Sequence, residues 1–331
     1  MEIVRGIHQI SLPLSGGMLD HVNVYVVEGD KGNLLIDTGM DTPEAFGALR
    51  DGLKSGGFGF KDITLILVTH IHPDHYGMAA NLKQLSGAEL ALGEVEAGLL
   101  DSRYVNTEDL LKKVRDLFKS SGVPEDDLAD LAEASLQLRQ FVGQTSAEVK
   151  LKGGEKITVG SSEFKVLLTP GHSPGHICLY EPKRKFLFSG DHVLPDIAPH
   201  VGLHPQSGEN PLADFIKSLE AVMGLEVNFV FPGHGHTFSG LKQKVEQILY
   251  HHKQRKLAVS RAIEKDMKTA YQIATEIPWM PAGEPVNFKD LSTFDKRLAV
   301  LETLAHLQFL VIEGEAEKVA KEDVTLYWAG G

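Results

Sequence analysis

Short apolar runs alternate with glycine-rich polar clusters through the first 236 residues. Residues 22–28 are β-branched and aromatic, Asp30-Lys31-Gly32 supplies a turn, and 33–37 return, which predicts a hairpin. A helix is expected after Thr42, with Pro43 at its first position and Glu44 in its first turn. Residues 63–69 form one continuous apolar run, the pattern of a strand buried on both faces. A helix is then expected over about 73–85, stopping near Gly87. Further strands are expected at 156–159, 164–168, 177–180, 186–188 and 228–231. Strands interleaved with helices make this an α/β chain.

Two regions depart from that alternation. In 100–143, Asn106-Thr107-Glu108-Asp109 starts a helix and Gly122 stops it, and Pro124-Glu125-Asp126-Asp127 starts another that ends near Gly143. Leu110, Leu111, Val114, Leu117 and Phe118 lie at helical spacing. The segment reads as an inserted helical hairpin whose apolar face could serve as a lid. From about residue 243 the pattern is helical, with candidates at 243–265, 270–276 and 291–312. A strand-like pair at 309–312 and 324–328 follows. That order is winged-helix-like and divides the chain into residues 1–245 and a small domain, 246–331.

Charge and composition narrow the classes. The 331 residues are 42% hydrophobic, enough for a large core, and the net charge is −12, which disfavours a polyanionic partner. Residues 246–331 carry 11 Lys and Arg against 13 Asp and Glu, and 297–312 has Arg297 as its only Lys or Arg. DNA-binding modules need a basic footprint, so this domain is expected to pack, to wall a pocket or to form a homodimer. No nucleic acid is expected as partner. The apolar runs are too short to span a membrane. One cysteine, Cys178, permits no intramolecular disulfide, and no signal peptide is evident, so a cytoplasmic location is expected. Cys178 lies in an expected buried strand and reads as core. There is no Gly-X-Ser-X-Gly elbow and no dinucleotide fingerprint after a strand.

The candidate chemistry sits at strand ends. Apolar runs lead to His70-Ile71-His72-Pro73-Asp74-His75, to His172 after Thr169-Pro170-Gly171, to Asp191 after Ser189-Gly190, and to His234 after Pro232-Gly233. His70 and His72, two apart in extended chain, point the same way. Four potential ligands within six residues are costly to bury without a metal. Asp191 alone would be a turn carboxylate, and His234 alone a loop histidine; their order in one chain changes that reading.

The ordered set resembles the metallo-β-lactamase superfamily: His-X-His-X-Asp-His, a later His, an Asp after Ser-Gly, and a final Pro-Gly-His. Asp37, closing Leu34-Leu35-Ile36-Asp37-Thr38-Gly39, resembles its first motif. The resemblance implies a four-layer αβ/βα sandwich with metals at the sheet edges. It implies that His70, His72 and His172 hold one metal, that Asp74, His75 and His234 hold a second, and that Asp191 bridges them. Asp37 would brace the ligand loop. The ions would be two divalent metals, zinc by donor type, with Fe or Mn also compatible. Diiron redox members carry an acidic residue where this chain has His72, so oxygen chemistry is not implied. Residues 189–204 and the C-terminal helices resemble the lactamase-beta-two-like branch, whose members include endoribonucleases acting on single strands.

The mechanism implied is hydrolysis by a hydroxide shared between two metals about 3.5–4 Å apart, with Asp74 as the catalytic carboxylate. The expected substrate is a small ester, thioester or similar acyl compound. Competing readings are a single-strand endoribonuclease and a non-catalytic winged-helix regulator. Tyr76, His192, His200, His204 and His236 neighbour the motifs and are candidate substrate contacts or local supports. The run His251-His252-Lys253-Gln254-Arg255-Lys256 reads as a solvated helix face, or as a site for an anionic substrate group.

Overall fold

The structure, a computed structural model, describes residues 1–14, 19–280 and 285–330. Seven strands form the first sheet, in chain order: β1 (Glu2–Val4), β2 (Ile7–Pro13), β3 (His21–Val27), β4 (Asn33–Ile36), β5 (Ile63–Val68), β6 (Glu89–Gly93) and β7 (Val149–Leu151). Strands β1 to β4 pair antiparallel, and β4 to β7 pair parallel. The second sheet has the order β12-β11-β10-β9-β8, from β8 (Lys156–Val159), β9 (Ser162–Leu168), β10 (Ile177–Glu181), β11 (Phe186–Gly190) and β12 (Phe229–Pro232).

Apolar residues on both faces of each sheet account for the layering. Between the sheets, Tyr25, Ile36 and Leu67 of the first meet Phe164, Phe188 and Phe231 of the second. The outer face of the first sheet is covered by α1 (Pro43–Ser55), the single turn α2 (Pro73–Tyr76) and α3 (Ala79–Ser86), through Leu49, Leu53 and Leu82. Chain segments α4 (Glu94–Tyr104), α5 (Glu108–Ser120) and α6 (Glu125–Glu133) follow β6. The second sheet is covered by α7 (Pro211–Met223) and α8 (Leu241–Ala262), through Phe215, Leu219 and Val245. The result is helix, sheet, sheet, helix, a four-layer sandwich.

Three helices and a hairpin complete the chain: α8, α9 (Ala270–Glu276), α10 (Thr293–Ile312), then β13 (Ala316–Lys321) paired antiparallel with β14 (Val324–Ala329). Thr269 and Gln272 cap α9 reciprocally. The expected strand at 309–312 is instead the last turn of α10, where Leu310 is fully buried. The first hairpin strand, Ala-Glu-Lys-Val-Ala-Lys, escaped detection because all but Ala316 is exposed, so no apolar alternation is needed. The helix expected over 73–85 breaks at Gly77. A Cβ there would come within 2.5 Å of Pro73 O and 2.7 Å of Gly39 O, so the chain turns tightly against its neighbours.

The inserted hairpin is not left with an open apolar face. Val114, Phe118, Leu128 and Leu131 pack with Val259, Ile273, Leu304 and Leu307 in one core shared with the C-terminal helices. Arg297, buried on α10, donates from one guanidinium nitrogen to Leu131 O (2.9 Å) and Ala132 O (3.3 Å), and lies over Phe118. The reading of the basic run as a solvated face also needs correction. His252 and Arg255 face inward on α8, while Lys253 and Gln254 are exposed. Among the described residues no helix is long and apolar enough to cross a membrane.

Candidate metal centre

Five loops meet at one end of the sandwich because each follows the C-terminal end of a strand. Asp37 follows β4, the His70 loop follows β5, His172 follows β9, Asp191 follows β11 and His234 follows β12. The convergence brings seven donor side chains together. His172 Nε2 lies 3.3 Å from His70 Nε2 and 3.0 Å from His72 Nδ1, and the latter two atoms are 2.9 Å apart. On the other side, His234 Nε2 is 3.3 Å from His75 Nε2 and 3.2 Å from Asp74 Oδ2. Asp191 stands between: Oδ1 is 3.4 Å from His75 Nε2, and Oδ2 is 3.4 Å from His234 Nε2 and 3.7 Å from His172 Nε2.

Those separations fit donors around a cation. Tetrahedral zinc with Zn–N of about 2.0–2.1 Å separates its ligand atoms by roughly 3.3–3.4 Å. Tautomers agree with this. His172 Nδ1 donates to His200 O (2.8 Å), His234 Nδ1 to His21 O (2.7 Å) and His75 Nδ1 to Asp37 Oδ2 (2.8 Å). Each outward nitrogen thereby carries the proton, and each Nε2 lone pair faces the centre. Asp191 Oδ1 is buried without a hydrogen-bond donor, an orphan that a cation would satisfy. The residues fit a metal pair.

Supports beneath the donors explain the geometry. Asp37, at a positive φ of 62°, accepts from Thr69 N (2.7 Å) as well as from His75. Glu96 of α4, fully buried, accepts from Ile71 N (3.0 Å) and Gly175 N (2.8 Å), and so ties the His70 loop to the His172 loop. Asn23 Nδ2 donates to Gly235 O (2.7 Å) across the sheets. His176 Nε2 accepts from Asp191 N (3.1 Å). Gly233 is required by crowding, since a Cβ there would lie 2.4 Å from Asp191 Oδ1. None of Glu96, Asn23 and His176 was singled out from sequence. Glu96 and Asn23 are far along the chain from what they brace, and His176 reads as one more loop histidine.

The remaining candidates are placed differently from one another. Tyr76 is buried and its hydroxyl donates to Thr145 O (2.6 Å), so it packs inside rather than meeting substrate. His192 is also fully buried, edge-on to Phe215, with both ring nitrogens enclosed. These two expectations of substrate contact are therefore corrected. His200 remains at the rim, its Nδ1 3.5 Å from Glu302 of α10. His204 is partly buried in the same loop, and His236 is exposed beside Asp196. Cys178 is fully buried and burial pushes its thiol up to about 12, so it stays protonated in the core.

The electrostatics divide the donors. Burial, helped by neighbouring imidazoles, holds His70 and His72 well below the ordinary histidine value, so they are neutral donors. Burial also pushes His75 and His234 down, but Asp191 and the other carboxylates outweigh it and hold both up, His234 at about 10. For Asp191 burial acts upward, yet His234 and His75 keep it well below the usual carboxylate range. In metal-free protein, His234 raised from 6.5 to about 10 stabilises the fold below pH 6.5, and that contribution is lost as pH rises through about 10. Metal-free protein is accordingly expected to lose melting temperature between pH 6.5 and 10. Metal-loaded protein should be flatter over that window, because the cation takes the proton's place. Melting curves with and without chelator check the difference.

Comparison with known proteins fits this geometry. The profile of the Metallo-beta-lactamase superfamily matches residues 17–234, all seven donors included. The chain belongs to the metallo-beta-lactamase superfamily. It is 29% identical over 317 residues to "Probable metallo-hydrolase YqjP" of Bacillus subtilis strain 168, covering 93% of this chain and 91% of that one. The crystal structure of the metallo-beta-lactamase family protein TTHA1429 from Thermus thermophilus matches with a TM-score of 0.84 and 29% identity, over 99% of both chains. The acyl-coenzyme A thioesterase MBLAC2 of Bos taurus is 29% identical over 234 residues, 66% of this chain and 75% of its own. The superfamily likeness thus extends, in YqjP and TTHA1429, through the insertion and the C-terminal helices.

Proposed function

We propose that this metal-dependent hydrolase uses two divalent ions to cleave an ester, thioester or related carbonyl substrate. The observation that carries the reading is Asp191, whose two carboxylate oxygens reach donors of both triads, His172 on one side and His75 and His234 on the other. Imidazole and carboxylate donors suit zinc, and also iron or manganese. When bound, the ions supply a nucleophile from water at neutral pH and polarise the scissile carbonyl oxygen.

The chain's own residues divide the remaining work. Asp74, with its side chain 18% exposed against 9% for Asp191 and 2% for Asp37, is the carboxylate that faces incoming substrate. It orients the attacking water and takes its proton. The water oxygen bonds to the carbonyl carbon as the C=O pair moves onto oxygen; the carbonyl then re-forms as the C–O or C–S bond breaks, and the proton passes to the departing alkoxide or thiolate. The C-terminal helices and hairpin, which we read as winged-helix-like, contribute a wall rather than a nucleic-acid reader. The would-be recognition helix α10 is buried along most of its length, Arg297 included. The thioesterase named among the relatives adds weight to a thioester.

A panel tests this reading: metal-loaded protein against thioesters, aryl esters, lactones and single-stranded RNA. Turnover of at least one carbonyl class, lost on chelation and restored by Zn²⁺, is expected. Cleavage of RNA alone, or of nothing in the panel, contradicts it.

A further inference from the structure

The last turn of α4 is clamped against the metal loop from two sides. Tyr104 donates its hydroxyl to the carbonyl of Ile71, which lies between His70 and His72. Gln206 Nε2, from the loop that carries His200 and His204, donates to Ser102 Oγ (3.0 Å). Arg103 lies between these two anchored residues and is partly buried. Among the described residues no carboxylate pairs with its guanidinium. The same is true of Arg297 on α10, which spends one nitrogen on the carbonyls of Leu131 and Ala132. The His204 loop is fixed to this helix as well, through Leu203 N to Leu301 O (3.0 Å).

These contacts tie the end of α4 to the metal loop and to the His204 loop, and that loop to α10, one turn beyond Arg297. Burial, then the charge of Arg103, lowers Arg297 to about 10. Burial, then Arg103 and Arg297 in turn, holds His204 well below its ordinary value. Two cations, one buried and one partly buried, repel each other when no counter-ion stands between them, and a site shielded from water gives that repulsion weight. A guanidinium fork matches the planar or tetrahedral oxygens of an anion in a way few other groups do.

We propose that Arg103 and Arg297, with His204, form an anion subsite beside the metal centre that takes a carboxylate or phosphate carried by the substrate. The proposal rests on the hydrolase reading above and names its substrate class: an ester or thioester with an anionic group away from the scissile bond. Arg103 is the specificity-determining member. Arg297 is also part of the packing between α6 and α10, so its replacement would mix binding with folding.

The test pairs substrates that share one scissile thioester. In one arm the acyl chain ends in methyl or in carboxylate; in the other the thiol part is neutral or phosphorylated. Arg103→Gln is expected to lose at least about tenfold more kcat/KM on the anionic member of one arm than on its neutral partner, mainly through KM, with Arg103→Lys partly restoring it. The arm that responds identifies carboxylate or phosphate. Equal losses on both members would show a structural role and overturn the proposal. Direct calorimetry of glutarate and of inorganic phosphate binding to metal-loaded protein separates this from the hydrolase reading. If no thioester is turned over, weaker binding of either anion by Arg103→Gln still supports the subsite, and unchanged binding of both sinks it. Loss confined to single-stranded RNA would reassign the arginines to a nucleic-acid backbone.

Discussion

Asp74→Ala is expected to abolish hydrolysis and leave the fold in place. Asp74 opens the single turn α2, has a partly exposed side chain, and places Oδ2 3.2 Å from His234 Nε2 and 3.6 Å from His75 Nε2. Among the described residues its side chain pairs with the two metal donors His75 and His234 and with no core group. Asp37, by contrast, is almost fully enclosed and holds Thr69 and His75, so its loss would disturb the loop itself. Circular dichroism and melting temperature of the Ala variant should stay close to wild type. Its kcat/KM should fall by well over tenfold, a loss above ~1.4 kcal/mol of transition-state stabilisation. A variant retaining more than about a tenth of wild-type kcat/KM would show that Asp74 neither orients water nor completes the site.

Removal of residues 246–331 should have the largest effect on stability. The cut severs α8 and takes away α9, α10 and the hairpin, which cover the apolar face of the insertion. Val114, Phe118 and Leu131 would be exposed at once. Each fully buried side chain of this kind contributes about 1.5–3 kcal/mol, so these three alone approach the roughly 5–15 kcal/mol that holds a domain together. The truncated chain is expected to aggregate, as seen by light scattering and gel filtration. A monodisperse, metal-binding fragment would show that the insertion stands on its own. The isolated C-terminal segment should show no sequence-selective retention of DNA in a mobility-shift series at physiological salt, since Arg297 is turned inward.

Local chemistry was the legible part of this chain. The strand-end donors announce themselves because His70, His72, Asp74 and His75 are close neighbours in sequence, and because apolar runs precede His172, Asp191 and His234. The α/β layering follows from the same runs. What the sequence concealed is long-range. The insertion's apolar stripe is visible as a stripe, but a stripe does not say what covers it, and a lid and a buried partner of α10 share one pattern. The apolar residues of α10 recur at helical spacing as one face would, whereas Thr303, Leu304, Ala305, His306 and Leu307, five consecutive residues that point all round the helix, are enclosed because it lies between insertion and sandwich. Glu96 and Asn23 were invisible for a related reason. A buried polar side chain is told from an exposed one only by its partners, here Ile71 and Gly175 for Glu96 and Gly235 for Asn23. Arg297 inverted its apparent meaning, from the sole basic group of a recognition helix to a donor inside the fold.

The central claim is that His70, His72, Asp74, His75, His172, Asp191 and His234 form one site for two cations. Elemental analysis by mass spectrometry, on protein purified without chelator and again after zinc reconstitution and desalting, tests it most directly. Close to two metal ions per folded chain is the expected result, falling toward one when Asp74 is replaced by Ala. A well-folded wild-type chain that takes up no metal after reconstitution, or holds only one, would contradict it.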